Sequence, residues 1–316
     1  MQSSFLPLID KEELEDAWKW LFSTMKPRPE NASVSCVYDP KHWMIQEEYK
    51  PLYANGLIEK HLSVLFLTSE FGEDEQIYGL TNFGDATSID RPAGLIDRDV
   101  ANVIQEEQGF RDSLAEHLAF WVRLANEAQN YSDGQKFAGK LPHIQSRDKG
   151  PDGLFIVTGQ SNYVELQSVK SSTKNPRNQV GTRSFRINGK VHDRNNPKQL
   201  EEFWLTANEN WGSARLQREL SNLCRLLQVT NQQLFKMSLQ ENLCSYNAIV
   251  VANEKYASED VFEGYEHITP NINHRIATYI SSEEWKELAE KTRQVIIIRL
   301  NHLLPKKCIH ITSKNI

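Results

Sequence analysis

The chain has 316 residues, of which 39% are hydrophobic and 25% are charged, and its formal net charge is −6. These values are ordinary for a soluble globular protein, and the length predicts one large domain or two smaller ones. No stretch is apolar for long enough to span a bilayer, and the N-terminus lacks the basic start and apolar core of a signal peptide, so no membrane partner is expected.

The first predicted element is a helix over residues 10–25. Asp10 is suited to the N-cap position, and Glu13, three places later, completes a capping-box pattern. The prolines that follow end the helix. Three further elements are predicted before residue 100: a helix around residues 46–59, a strand at 61–69 and a loop-rich run at 70–90.

The N-terminal part of the chain is acidic. Residues 1–100 hold 18 acidic and 9 basic side chains, a net charge of −9, so the remaining residues carry +3 of the total of −6. No catalytic pattern is present in this part. We therefore predict an accessory or docking region at 1–100, followed by an α/β domain at 101–316.

The clearest predicted helix covers residues 110–129, where apolar side chains recur at helical spacing. This stripe consists of Phe110, Leu114, Leu118, Trp121 and Ala125. A weaker segment at 136–145 leads from this helix into the most informative part of the sequence.

That part is a predicted β-hairpin that carries carboxylates. Asp152 stands where the first apolar run begins, and a turn is predicted from Gly159 to Asn162. Glu165 and Gln167 lie two residues apart on the second run, so they project from the same face of a strand. Two acidic groups brought side by side across a hairpin favour a hard-cation site.

A strongly basic segment follows the hairpin directly. Residues 170–198 hold eight basic side chains and one acidic side chain, a local net charge of +7. The candidates for binding a phosphate backbone are Lys174, Arg177, Arg183, Arg186, Lys190 and Arg194. The alternative is a solvated loop that is basic for solubility.

The rest of the chain alternates helices and buried strands, which is an α/β pattern. The predicted elements are a helix opening at Pro197, an amphipathic helix at 213–227, strands at 246–252 and 275–280, a helix from Ser282 to Lys291 and a strand at 295–300.

The four cysteines are widely scattered and form no CxxC pair: Cys36, Cys224, Cys244 and Cys308. Their spacing argues against a zinc ribbon and against a disulfide scaffold. A reducing, cytoplasmic setting fits this pattern best.

The hairpin and the order of elements around it resemble the PD-(D/E)xK nuclease superfamily, which includes many restriction endonucleases and several phage-defence effectors. The residues that carry the resemblance are Pro151-Asp152 and, after twelve intervening residues, Glu165-Leu166-Gln167. It covers residues 105–255, about half of the chain. It implies a mixed central β-sheet flanked by helices.

The resemblance also implies a metal site. Asp152, Glu165 and the Leu166 carbonyl would bind Mg²⁺, or Mn²⁺ in its place, and Gln167 would orient the attacking water. Family members often add a glutamate from the preceding helix, for which Glu116 is the candidate. Glu116 lies nearly opposite the apolar stripe of its helix, so exposure to solvent is an equal alternative.

One position departs from the commonest family pattern, which has lysine where this chain has Gln167. Glutamine hydrogen-bonds a water but is neutral, so more of the charge stabilisation falls on the metal. Lys170 is the candidate substitute. Its parity places it on the opposite strand face from Glu165, and it reaches the site only if the strand bulges or ends there.

Simpler interpretations exist for each residue of the hairpin. Pro-Asp-Gly is a common turn sequence, which accounts for Asp152 without a metal. Glu165 and Gln167 are also what the solvated face of a half-exposed hairpin contains.

The leading functional expectation is a Mg²⁺-dependent endonuclease that cleaves DNA in restriction or anti-phage defence, as a homo-oligomer or with a regulatory protein subunit. The defence role rests on family association alone. The alternative is a catalytically inactive nucleic-acid-binding or scaffold subunit, and a third hypothesis is a protein-interaction module. RNA remains open as a substrate.

Overall fold

A computed structural model gives the three-dimensional structure of the chain. It describes residues 9–27, 39–45, 56–72, 77–83, 98–142, 152–159, 162–176, 186–187, 190–191, 214–230, 233–234, 244–256, 259–262 and 274–303. The predicted helix that opens at Pro197, residues 46–55 of the predicted second helix and most of the basic segment lie outside these residues.

The centre of the molecule is a mixed β-sheet. Its strands are β1 (Met25–Pro27), β2 (Asp39–Ile45), β3 (Lys136–Gly139), β4 (Gly153–Thr158), β5 (Tyr163–Ser172), β8 (Cys244–Asn253) and β9 (His274–Ser282). They are arranged in the order β1-β2-β9-β8-β5-β4-β3. Strands β3, β4 and β5 form an antiparallel meander, whereas β5, β8, β9 and β2 run parallel. A separate two-stranded ribbon joins β6 (Arg186–Ile187) to β7 (Lys190–Val191).

Six α-helices accompany the sheet in the described part of the chain. They are α1 (Lys11–Thr24), α2 (Leu57–Phe71), α3 (Arg98–Gln105), α4 (Glu107–Gln129), α5 (Ala214–Leu227) and α6 (Trp285–Leu303). Within the described residues, none of the helices has the length and apolar character required to cross a membrane.

The two faces of the sheet pack against different helices. Alternate residues of β4 and β5, such as Leu154 and Leu166, join one buried cluster with α5. Residues of the other parity, such as Phe155 and Val169, join a second cluster with α1, α2, α4 and α6. The predicted α/β class, with a mixed sheet packed against helices, is therefore confirmed.

Several predicted elements are confirmed by the structure. The stripe at 110–129 forms α4, the apolar runs at 246–252 and 275–280 form β8 and β9, and the amphipathic pattern at 213–227 forms α5. Asp10 caps α1 by accepting the backbone N–H of Glu12 at 3.0 Å. Glu13 does not complete the capping box, because its carboxylate binds Arg299 at 2.8 and 2.9 Å.

Two strand predictions were wrong, and both have the same cause. Residues 61–69 belong to α2 and residues 295–300 belong to α6. A short run that is apolar at every position fits a buried strand and a buried helix equally well. Helix α2 is buried along nearly its whole circumference, so its sequence shows no amphipathic period. The predicted start of the last helix was also wrong, since Ser282 ends β9 and the helix begins at Trp285.

The described elements before residue 100 belong to the common core. Helices α1 and α2 contribute to the same buried cluster as α4 and α6, and β2 pairs with β9 along six residues. An accessory or docking role for residues 1–100 stays a prediction.

Candidate functional site

The hairpin register places Asp152 beside the second half of β5. Gly153 faces Gln167 and Phe155 faces Glu165 across the β4–β5 pair. Asp152, which precedes Gly153, accepts the backbone N–H of Val169 at 2.6 Å and the Lys170 ammonium at 3.3 Å through the same oxygen, Oδ2. Its side chain remains 27% exposed. Asp152 therefore pairs with Lys170, at the end of the strand.

Glu165 lies in a different environment, fully buried beneath α4. Its Oε2 accepts Arg123 Nε at 2.8 Å, and its Oε1 accepts Gln167 Nε2 at 2.8 Å and Asn247 Nδ2 at 2.9 Å. Burial alone would raise the pKa of Glu165, but the Arg123 guanidinium and the two amide hydrogen bonds hold that pKa below its ordinary value. Glu165 is thus an ionised carboxylate in a buried ion pair.

Arg123 is the centre of this buried network. Its guanidinium also donates to Glu127 and to the hydroxyl of Tyr163, and it lies 5.1 Å from the ring centroid of Phe137. Burial raises the pKa of Tyr163 to about 12, so its hydroxyl stays protonated. The Thr278 hydroxyl donates to the side-chain amide oxygen of Asn247, Oδ1, at 3.0 Å.

We call this set the Glu165 network. Its members are Arg123, Glu127, Tyr163, Glu165, Gln167, Asn247 and Thr278.

A metal ion fits poorly at Glu165 in this arrangement. Three N–H donors occupy its carboxylate, and the Arg123 guanidinium balances its charge. In the β4–β5 register Glu165 faces Phe155, which is three residues after Asp152, so the two carboxylates that the sequence pairs do not lie opposite each other. The part of the chain that the structure describes contains no group of three or more His, Cys, Asp or Glu side chains arranged to hold a metal ion. The Leu166 carbonyl belongs to a strand that is paired on both sides, and its role as a ligand stays a prediction.

Glu116 is the acidic group that interacts with Asp152. Burial and, next, the negative charge of Asp152 raise the pKa of Glu116 well above its ordinary value, while Lys170 and Lys140 act in the opposite direction. Glu116 is half-buried and Lys140 is buried. We call these four residues, Glu116, Lys140, Asp152 and Lys170, the Asp152 cluster.

The position of Glu116 follows from the burial of α4 on two sides. One side packs against helices, where the Trp121 ring lies 6.0 Å from that of Trp18. The opposite side packs against the sheet, where Phe120 stacks on Phe155 at 5.8 Å. Residues opposite the apolar stripe therefore face the sheet edge, and the solvent alternative for Glu116 fits less well.

Two helical turns separate the two polar sites on α4. Glu116 and Arg123 are seven residues apart, which places them on one face at a spacing of about 10 Å. The Asp152 cluster and the Glu165 network are therefore neighbours under the same helix.

The predicted phosphate-binding residues lie mostly outside the described chain. Lys174 is exposed two residues after the end of β5, close in sequence to Lys170. Arg186 and Lys190 are placed by their backbone in the β6–β7 ribbon. Arg177, Arg183 and Arg194 are not among the described residues.

No protein-family model, curated protein or solved structure matches this chain. The nuclease resemblance therefore rests on the hairpin residues and on the order of the elements.

Sequence reasoning missed Arg123, Asn247 and Thr278. One signal for Asn247 was present, since it is a polar residue inside an otherwise apolar run that predicts a buried strand. A buried amide requires a hydrogen-bond partner, so such a residue predicts a polar contact across the sheet. Arg123 lies on the helix face opposite the apolar stripe, for which exposure to solvent was one alternative. An arginine on an exposed face is common and therefore gives no signal of a buried site.

The ion pair at Glu165 predicts a loss of stability in acid. Because the pKa of Glu165 is lowered in the folded state, its contribution to stability is complete above the ordinary glutamate pKa of 4.5 and is lost as the pH falls through the folded pKa. Denaturant unfolding between pH 7 and pH 3 should show the free energy of unfolding falling below about pH 4.5. Glu13 and Glu290, whose pKa values are also lowered, contribute in the same direction. The contribution of Glu165 is measured by comparing how steeply the free energy of unfolding falls with pH in wild type and in Glu165→Gln. Equal slopes below pH ~4.5 would contradict a lowered pKa for Glu165.

Proposed function

We propose that this protein is a divalent-metal-dependent phosphodiesterase that cleaves nucleic acid, with Glu116 and Asp152 as the carboxylates that hold the metal. The observations that carry the proposal are the ion pair of Asp152 with Lys170 at the end of β5, at 3.3 Å, and the charge of Asp152, which after burial is the next cause that raises the pKa of Glu116. Two carboxylates are sufficient, because Mg²⁺ keeps several waters and needs few protein ligands. In this proposal Glu116, the weaker candidate of the sequence analysis, replaces Glu165 as the second metal-binding carboxylate.

The residues of the Asp152 cluster suit this chemistry individually. When bound, Mg²⁺ or Mn²⁺ lowers the pKa of a water ligand and neutralises phosphate charge. Asp152 keeps one oxygen on the Val169 N–H and Lys170, which fixes the orientation of its carboxylate. Lys170 also donates to the Val169 carbonyl at 2.9 Å, so its ammonium is held where a phosphate oxygen would approach Asp152.

The order of elements supports the nuclease-like core that the resemblance implies. Helix α4 precedes the antiparallel strands β3, β4 and β5, α5 follows on the opposite face, and β8 then runs parallel to β5. Asp152 stands at the start of β4 and Glu165-Leu166-Gln167 stands on β5, as in the family pattern. In the proposed enzyme Gln167 belongs to the Glu165 network and acts at a distance from the metal.

The basic segment supports a nucleic-acid substrate. It begins at Lys170 within the Asp152 cluster and continues past the exposed Lys174. Cationic side chains that follow a phosphate-cleaving site directly in the sequence would bind the nucleic-acid backbone next to the scissile bond. DNA is the proposed substrate, in a restriction or defence setting and with a second copy or a regulatory subunit.

The second candidate function is a nucleic-acid-binding subunit that does not cut. The observation in its favour is the state of Glu165, the second acid of the family motif, whose charge is balanced by Arg123. In this alternative the basic segment binds nucleic acid, and the Asp152 cluster serves only the fold.

The direct test is cleavage by the purified chain. We expect nicking of supercoiled plasmid with Mg²⁺ or Mn²⁺ and none with EDTA, with single-stranded RNA as a parallel substrate. Binding measured in Ca²⁺ should weaken steeply as salt rises, because phosphate contacts release counterions. Salt-dependent binding without cutting in any metal would establish the second candidate, and the absence of salt-dependent affinity would reject both.

A further inference from the structure

A polar cavity of about 460 Å³ lies between α4 and the sheet. Glu165, Gln167, Asn247 and Thr278 line it from the strands, and Arg123 and Asn126 line it from the helix. Its volume falls within the ~300–1,000 Å³ typical of small-ligand sites. The Glu165 network therefore forms the polar wall of a chamber large enough for an organic ligand.

The charges on the wall determine which ligands fit. The charged residues that line the cavity are Arg123, Glu127 and Glu165, which gives a net charge of −1. The three nitrogens of the Arg123 guanidinium already donate to Glu165, Glu127 and Tyr163. A phosphate inside the cavity would meet two carboxylates, so a neutral ligand that donates hydrogen bonds is favoured.

The uncharged lining suits a flat heterocycle. The amide of Asn126 offers donors and an acceptor, the amides of Gln167 and Asn247 each keep a second N–H beside the one that Glu165 accepts, and Val157 and Ile249 supply apolar surface. Amide and carboxylate side chains are the groups that recognise base edges, with Asn or Gln pairing to adenine and Glu accepting from the cytosine amino group. Enzymes that take a base out of its stack hold it by such edge contacts between apolar or aromatic walls.

We infer that this cavity accepts one unstacked nucleobase that carries an exocyclic amino group, with Glu165 Oε2 as an acceptor for that group, since this oxygen accepts only Arg123 among the described residues. The inference rests on the proposed function, and it identifies a base-binding subsite next to the cleavage site. Such a base has two possible sources, an unpaired nucleotide within a nucleic-acid strand and a free nucleoside, and both present the same amino group to the cavity.

The cavity and the Asp152 cluster are joined through Gln167. Its side chain lies over Gly153, where an added Cβ would come within 2.5 Å of Gln167 Oε1, and Gly153 is the neighbour of Asp152. Glycine at this position lets the Gln167 side chain lie between the two sites. Gln167 is therefore the residue that links the proposed base-binding cavity to the Asp152 cluster.

The first experiment measures nucleoside binding to the full chain by calorimetry in EDTA. We expect cytidine and adenosine to bind at least about tenfold more tightly than uridine and thymidine, since one base-edge pairing discriminates by ~1–3 kcal/mol. Equal affinity for all four nucleosides, or no binding of any, would overturn the inference.

The second experiment separates the two sources of the base. A single-stranded oligonucleotide that contains 2-aminopurine is bound in Ca²⁺, which blocks cutting, and the fluorescence of the base is followed. A rise in fluorescence shows that a base within the strand leaves its stack and enters the cavity. Nucleoside selectivity without that rise identifies a site for free nucleosides.

A filled cavity provides the variant test. Asn126→Phe places a larger side chain in the lining and should weaken cytidine binding at least about tenfold. Asn222→Phe, at a half-buried asparagine of α5 away from the cavity, is the matched control and should bind as wild type. Equal binding by both variants, with unchanged melting temperatures, would place the nucleoside elsewhere and overturn the inference.

Failure of this inference is distinguishable from failure of the proposed function. The nucleoside experiment contains no metal and requires no cleavage. Plasmid cutting without nucleoside binding would reject the base-binding cavity and leave the nuclease intact, whereas nucleoside binding without cutting in any metal would reject the nuclease and retain the cavity for free nucleosides.

Discussion

Replacing Asp152 with asparagine should lower the rate of Mg²⁺-dependent cleavage by about a thousandfold while leaving the protein folded. Several kcal/mol of transition-state stabilisation come from a bound metal, and each ~1.4 kcal/mol corresponds to a factor of ten in rate. Asparagine keeps an oxygen that accepts the Val169 N–H, so the local hydrogen bond survives. The expected effect is therefore on the rate and the metal requirement, measured by single-turnover cleavage across a Mg²⁺ titration.

Glu116→Gln distinguishes the proposed metal pair from a general effect of charge. It should reduce cleavage to a similar extent, and in EDTA it should raise the melting temperature, because it removes a carboxyl group whose charged form is disfavoured first by burial and next by the negative charge of Asp152. The controls are Asp133→Asn and Glu107→Gln, two exposed positions, Glu107 being on the same helix as Glu116. Normal cleavage by Asp152→Asn or by Glu116→Gln would rule out this metal pair.

The structure and the sequence agree best where one periodicity is dominant. The stripe of α4 and the alternation of the hairpin both predicted their elements, although the structure buries the other sides of these elements as well. The runs at 61–69 and 295–300 are apolar at nearly every position. In those runs the packing of neighbouring elements determines whether a helix or a strand forms, and this packing cannot be read from a single sequence.

The candidate site was predictable only in part, for a reason of register. The sequence gives Asp152 and Glu165 as the two acids of a hairpin but does not fix which residues face each other. In the structure Gly153 faces Gln167, so Asp152 lies beside Ser168 and Val169, three to four residues beyond Glu165 along β5. That shift separates the carboxylates and brings Lys170, whose parity had argued against it, to Asp152.

The second carboxylate of the site depended on packing that involves distant parts of the chain. Glu116 lies opposite the apolar stripe, which for a surface helix means exposure to water. The helices that cover the stripe include α1 and α2. Both belong to residues 1–100, which the sequence analysis predicts to be an accessory or docking region. With that face covered and the other face on the sheet, α4 becomes an internal helix. Its polar residues, such as Arg123, then face the strands.

Replacing Glu165 with glutamine should lower the free energy of unfolding by about 1.5–3 kcal/mol, since the charge-assisted hydrogen bond to Arg123 is lost while Glu127 still balances the Arg123 charge. Arg123 would retain Glu127 and Tyr163 but lose the fully buried carboxylate that its Nε binds. Urea denaturation followed by tryptophan fluorescence measures the change, because Trp121 lies two residues from Arg123 on the same helix.

The same substitution at a surface pair provides the comparison. Glu287 binds Lys291 at 2.7 Å with both side chains more than half exposed, so Glu287→Gln should cost less than about 1 kcal/mol. If Glu165→Gln instead left stability unchanged and abolished cleavage at every Mg²⁺ concentration, Glu165 would be a metal ligand in the working enzyme, and the ion pair with Arg123 would have to open before the metal binds.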